Sequence, residues 1–203
     1  MQIRTTPVGP WAMNAYALIC PNTHASVLID PGAEPHKLVE LIAGTDPKAI
    51  LITHAHMDHV GALDQMRRQL NVPVLAHIGQ NGGSGLKADQ WLHGGERLPV
   101  GDQTVVVYAT PGHADDQVSF GVEDGSIFVV GDTIFEGGPG KTWTAKGFQS
   151  TLETLRNVVL AWPDHAMCYP GHGNAFRLGD KRCAIQRFVD QEHGHFFGDA
   201  QWG

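Results

Sequence analysis

Apolar positions fall into short β-type runs in each half of the chain, with stretches of helical period behind them. "MQIRTT", "NAYALIC" and "ASVLID" are separated by the turn-rich segments "PVGPW" and "PNTH", which predicts an antiparallel meander. "EPHKLVELIAG" then places Leu38, Leu41 and Ile42 at helical spacing and stops at Gly44, a residue suited to a helix C-terminus. "AILIT" predicts a buried strand, "VGALDQMRRQL" a helix with Val60, Leu63, Met66 and Leu70 on one face, and "VPVLAH" another strand. The second half repeats the style. "QTVVVYATPGH", "QVSFGVE" and "SIFVVGDTIF" predict strands, "FQSTLETLRNVVLAW" a helix, "AMCYPGHG" a strand and "DKRCAIQRFVD" a final helix. Two groups of strands, each followed by helices, predict an α/β fold with two sheets packed face to face beneath outer helices.

Composition narrows the picture. A length of 203 residues suffices for one sizeable core, so residues 1–203 are read as a single domain. The formal charge of -7 leaves no basic field for a polyanion, because nucleic-acid affinity draws mainly on lysines and arginines neutralising phosphates. No apolar stretch reaches the length of a membrane span, and the first residues lack a basic segment followed by an unbroken apolar one. The expectation is a soluble, cytoplasmic protein acting on a small molecule, with no nucleic-acid or membrane partner; self-association is left open. Cys20, Cys168 and Cys183 are odd in number and contain no CxxC, so buried free thiols are expected rather than disulfides or a thiolate metal site.

The chemistry gathers at strand ends. "THAHMDH" packs His54, His56, Asp58 and His59 directly behind "AILI"; His113 follows "VVVYATPG", Asp132 follows "SIFVVG", and His172 follows "AMCYPG". In an extended segment alternate residues share a face, so His54 and His56 point into one site while Asp58 and His59 turn in with the loop. Five histidines and two carboxylates exceed what one tetrahedral ion uses, but they divide between two divalent ions. His54, His56 and His113 are assigned to one ion, Asp58, His59 and His172 to the other, and Asp132 to the bridge. The donors are all nitrogen or oxygen, which suits zinc first and also iron, manganese or cobalt. Glycine precedes His113, Asp132 and His172, as backbone crowding near a shared centre would require.

"THAHMDH", "TPGH", "GDT" and "YPGHG" together resemble the metal-binding motifs of the metallo-β-lactamase superfamily, in order and approximate spacing from Asp30 to His172. Within it, "GDTIFEGGPGKT" and "YPGHG" resemble short glyoxalase II-like, or hydroxyacylglutathione hydrolase-like, proteins. The resemblance implies a four-layer αββα sandwich with its site along one edge of the sheets. It also implies that Asp30, in "VLIDPG", steadies the ligands from behind, and that Lys141 falls where a basic residue contacts glutathione. Two departures stand out. "TPGHADDQVSF" puts Ala114, Asp115 and Asp116 where many such sequences read "TPGHT-PG", and only 31 residues follow His172, fewer than a helical glutathione-holding domain needs.

Hydrolysis near neutral pH needs hydroxide, and a zinc-type site lowers the pKa of water from about 15.7 to roughly 7. The expected reaction is attack of metal-bound hydroxide, oriented by Asp58 and Asp132, on a thioester or ester carbonyl. A thiolate leaving group, with a pKa near about 8.5, needs little proton donation. An amine leaving group needs an acid, which favours thioesters over lactams. Tyr169, just before "PGHG", is a second candidate substrate contact. The alternatives are a mononuclear non-haem iron persulfide dioxygenase of the same fold and a lactonase or β-lactamase-like hydrolase. "GGPGKT" lacks the first glycine of a phosphate-binding loop, since Phe135 stands there, and "GGSGL" around Ser84 lacks the last glycine of a nucleophile elbow.

Overall fold

The structure is a computed structural model that describes residues 1–79 and 85–203; Ser84 and the two glycines before it lie outside them. Six strands form the first sheet in sequential order: β1 (Gln2–Val8), β2 (Met13–Ile19), β3 (Ala25–Ile29), β4 (Asp46–Leu51), β5 (Val74–His77) and β6 (Gln90–Leu92). The meander β1–β2–β3 is antiparallel, and β3 through β6 are parallel neighbours. The second sheet runs in the order β12–β11–β10–β9–β8–β7, from β7 (Arg97–Val100), β8 (Gln103–Ala109), β9 (Val118–Val122), β10 (Ile127–Gly131), β11 (Met167–Pro170) and β12 (Phe176–Arg177). There β10 and β11 are parallel, and the other pairings are antiparallel.

Alternation along single strands explains the layers. On β2, Tyr16 and Leu18 face the core between the sheets, while Ala15, Ala17 and Ile19 face the helices outside. On β4, Ala49 and Leu51 point inward and Ile50 outward; on β10, Ile127 and Val129 point inward, with Phe128 and Val130 outward. Strands buried on both faces read as unbroken apolar runs, the form "AILI" and "IFVV" take. Each fully buried large aliphatic side chain contributes roughly 1.5–3 kcal/mol. The first sheet is covered by α1 (Pro35–Leu41), the short α2 (Met57–Val60) and α3 (Leu63–Leu70), and the second by α4 (Ala145–Asn157) and α5 (Leu178–Asp190). The result is the four-layer αββα sandwich.

Several boundaries differ from the sequence expectation. The helix expected over 60–70 is two helices, because Ala62 N–H is tied to Pro31 O at 2.9 Å and Gly61 lies against Gly32 O. Asp58 and His59 therefore sit in a helical turn, not in an extended loop. Helix α4 begins earlier than expected, where Thr144 Oγ1 accepts the Gly147 N–H at 3.0 Å, and ends in a separate short turn over Val159–Ala161. Strands β6 and β7 were not expected; both lie at sheet edges and are only three and four residues long, too short to show an alternating pattern. Cys20 and Cys168 are buried free thiols, whereas Cys183 is exposed on α5.

Candidate metal centre

Strand direction brings the donors together. β3 and β4 are parallel and deliver Asp30 and the turn Thr53–His56 at their C-terminal ends. β8, β10 and β11 run the same way in the other sheet and deliver His113, Asp132 and His172. Ligand sites in α/β folds favour this place outside the carboxyl ends of strands. Asp30 holds φ 53, a left-handed conformation that few non-glycine residues adopt, which turns its carboxylate back under the centre.

The structure brings all seven predicted donors to one place. Three overlapping groups have donor atoms within 4.8 Å of one another: His54, His56 and His113; His54, His59 and Asp132; and Asp58, His59 and His172. In the first group His56 Nδ1 is 3.0 Å from His54 Nε2 and 2.9 Å from His113 Nε2. In the third, Asp58 Oδ2 is 3.1 Å from His172 Nε2 and 3.8 Å from His59 Nε2. Asp132 lies between them, with Oδ1 3.5 Å from His59 Nε2 and Oδ2 3.6 Å from His113 Nε2.

A supporting shell fixes which ring nitrogens carry protons. Thr53 Oγ1 donates to Asp30 Oδ2 at 2.6 Å, so at 3.1 Å it accepts from His54 Nδ1–H and leaves the His54 Nε2 lone pair facing the centre. His59 Nδ1–H donates to Asp30 Oδ2 at 2.8 Å, and His113 Nδ1–H to Lys141 O at 2.7 Å. His172 Nδ1 is held more loosely, 3.3 Å from Trp11 O. Asp30 thus lies behind both His59 and, through Thr53, His54. Thr53 was not among the expected site residues; its signal was its place in front of the first histidine.

One further feature was hidden in the sequence, while the crowding expected at the glycines before Asp132 and His172 is observed. Asp116 Oδ2 accepts the Ala55 N–H at 3.0 Å and ties the unusual "HADDQ" loop to the His54–His56 turn. Gly171 is crowded by the centre itself, since a Cβ there would overlap Asp132 Oδ1 and the His59 ring. Gly131, at φ 48, likewise has no room beside Thr53 and Gln117. Lys141 reaches the rim, with Nζ 3.1 Å from Asp199 Oδ2 and 5.1 Å from the Trp143 ring centroid. Tyr169 packs edge-on to Tyr16 at 5.9 Å, against the core between the sheets.

The donor set fits cations. His59 Nε2 and Asp132 Oδ1 are buried and have no hydrogen-bond partner, although they face each other across the centre. Leaving such atoms unpaired costs about 1–3 kcal/mol each unless something positive lies between them. Burial, followed by the neighbouring histidines, pushes His54 well below the usual imidazole range; burial also lowers His56 and His113. These three rings are neutral and present lone pairs, the form a metal ligand needs. Burial opposes charge on His59 too, but the Asp30 and Asp132 carboxylates outweigh it and raise the ring to about 10. The field at His59 Nε2 therefore favours positive charge.

Comparison with known proteins agrees. Residues 8–172 match the metallo-β-lactamase superfamily. The chain is 37% identical over 193 residues to a Bacillus subtilis protein described as "Probable metallo-hydrolase YqgX", covering 85% of this chain and 90% of that one. It is 27% identical over 203 residues to hydroxyacylglutathione hydrolase GloC of Haemophilus influenzae, covering 90% and 95%. Among solved structures, TTHA1623 in a di-iron-bound form superposes with a TM-score of 0.74 at 31% identity, covering 88% of this chain and 96% of that one.

Proposed function

Because the chain belongs to the metallo-β-lactamase superfamily, we propose that it is a dinuclear metal-dependent hydrolase that cleaves a thioester or ester in the manner of glyoxalase II. The observation that carries this reading is the pair of partnerless buried atoms, His59 Nε2 and Asp132 Oδ1, set between two triads of donors. His54, His56 and His113 would hold one ion, Asp58, His59 and His172 the other, and Asp132 would reach both. Zinc is the ion proposed, with iron or manganese as the alternatives the same nitrogen and oxygen donors accept. Such ions would bring the pKa of a coordinated water down to roughly 7 and polarise the substrate carbonyl.

The chain's own residues do the rest. Asp58 Oδ2 and Asp132 Oδ2 face the same space as His172 Nε2 and can accept and hold the proton of the attacking water. Thr53, Asp30 and the Lys141 carbonyl fix the ring planes in advance, so that no reorganisation is needed during the reaction. Exposed Trp11 and Met57 flank Asp58, and exposed Trp143 stands beside His113, giving apolar surface on either side of the centre. Lys141 is proposed as the anchor for the thiol portion of the substrate.

The test is elemental analysis of the purified protein coupled to turnover of thioesters, lactones, lactams and persulfides. About two equivalents of metal and thioester or ester hydrolysis lost on chelation support the reading. One iron per chain with oxygen uptake on a persulfide would replace it with a dioxygenase.

A further inference from the structure

The segment after α5 doubles back onto the metal centre. Trp202 is buried at 6% exposure; its Nε1–H donates to Phe135 O at 3.2 Å and its backbone N–H to Gly137 O at 2.9 Å. Upstream, Thr142 N–H donates to Gly198 O at 3.1 Å, and Gly198 N–H donates to Thr142 Oγ1 at 3.2 Å. A Cβ at Gly138 would collide with Ala200 O, so the two strips of backbone lie in direct contact. Between these anchors Asp199, Ala200 and Gln201 form one wall of a cavity of about 490 Å³ that also opens on His113, Asp132 and Lys141.

Fixed backbone places one charge where it matters. Asp199 Oδ2 is 3.1 Å from Lys141 Nζ, with the two side chains 80% and 43% exposed. Ion pairs this exposed are weak and exchange readily. The Lys141 backbone is held beside the centre, because its carbonyl accepts from His113 Nδ1–H and Gly140 is packed against Asp132, so the ammonium stays within reach of the rim. A carboxylate on an incoming substrate therefore meets an ammonium that already has a partner, while a neutral substrate gains nothing from that ammonium and loses nothing to Asp199.

We propose that Asp199 is a specificity-determining residue, which competes for Lys141 with the carboxylate of an anionic thioester and so lowers the preference of the site for acidic thiol portions. The proposal rests on the thioester-hydrolase reading. It gives the segment carrying Asp199 a role in substrate choice.

The experiment compares the metal-loaded wild type with Asp199→Asn, Lys141→Met and the double variant. Two thioesters of one acyl group are used, one with a carboxylate on the thiol portion and one with that group capped as an amide. Asp199→Asn is expected to raise the ratio of kcat/KM, anionic over neutral, about two- to fivefold, through KM. Lys141→Met should lower the ratio, and adding Asp199→Asn to it should move the ratio no further. Calorimetric binding of the corresponding uncleavable thioethers gives a second readout, with Kd for the anionic probe falling by the same factor. An unchanged ratio in Asp199→Asn, an equal effect in the Lys141→Met background, or no binding of the anionic thioether to wild type would each overturn the proposal. Failure of the wild type to cleave either thioester would instead remove the hydrolase reading, and the binding arm would still report on Asp199.

Discussion

The two donor groups sit a few ångströms apart and solve opposite electrostatic problems. His54, His56 and His113 form a cluster of imidazoles, with pKa values depressed by burial and by one another, and Asp132 is the carboxylate that reaches them. Asp58, His59 and His172 have carboxylate on several sides, with Asp30 behind His59 and Asp132 beside it, so His59 is held protonated when no other cation is present. One group is preformed for a cation but repels protons, and the other attracts any positive charge. A metal entering the second group must displace a proton, which makes occupancy there the more pH-dependent of the two.

Asp132 is shared, so its loss should erase the contrast. In Asp132→Ala, metal content is expected to fall below that of the wild type and hydrolysis to fall by more than about a hundredfold, beyond what loss of a supporting residue costs. Full turnover by a metal-depleted Asp132→Ala protein would sink the mechanism. Asp30→Asn should separate the groups. It preserves shape but removes the charge behind His59, and metal affinity is expected to drop about 10- to 100-fold. Titration with a chelator should empty the His59 group first; parallel loss from both would show that they are not distinct.

In the metal-free protein the two groups should bound stability from opposite sides. His54, His56 and His113 have folded pKa values below 6.5, so as pH falls through 6.5 the unfolded chain gains protons that the folded one refuses, and stability drops. His59 is raised to about 10, so its contribution is complete below 6.5 and is lost as pH climbs towards 10. Urea unfolding of the chelated protein at acid, neutral and alkaline pH should show a maximum between those limits, and His59→Gln should flatten the alkaline side only. The smallest effect is expected for Thr53→Val, which removes the hydroxyl linking Asp30 to His54. Thermal unfolding should report a loss of about 1–3 kcal/mol, the cost of leaving a buried donor or acceptor unmet.

The elements that carry apolar periodicity were legible from the order of residues alone. "AILI" and "IFVV" announced doubly buried strands, and Leu38 and Leu41 of α1 with Leu63, Met66 and Leu70 of α3 announced their covering faces. Edge strands β6 and β7 were not, because runs of three and four residues are too short to show a period. The split between α2 and α3 was invisible for another reason. It arises from a backbone contact to Pro31 and Gly32, about thirty residues earlier in the chain.

The sequence by itself determined the chemistry of the centre: which imidazoles and carboxylates, seven in all, stand at strand ends. That information is local, because side-chain type and strand periodicity survive in any one-dimensional reading. Tertiary structure alone decided which donors face one another, that Thr53 and Asp116 hold the first turn in place, and that Asp199 comes to rest on Lys141. Those are contacts between residues tens of positions apart, and only the packing of two sheets and the strap across their edge brings them within hydrogen-bonding range.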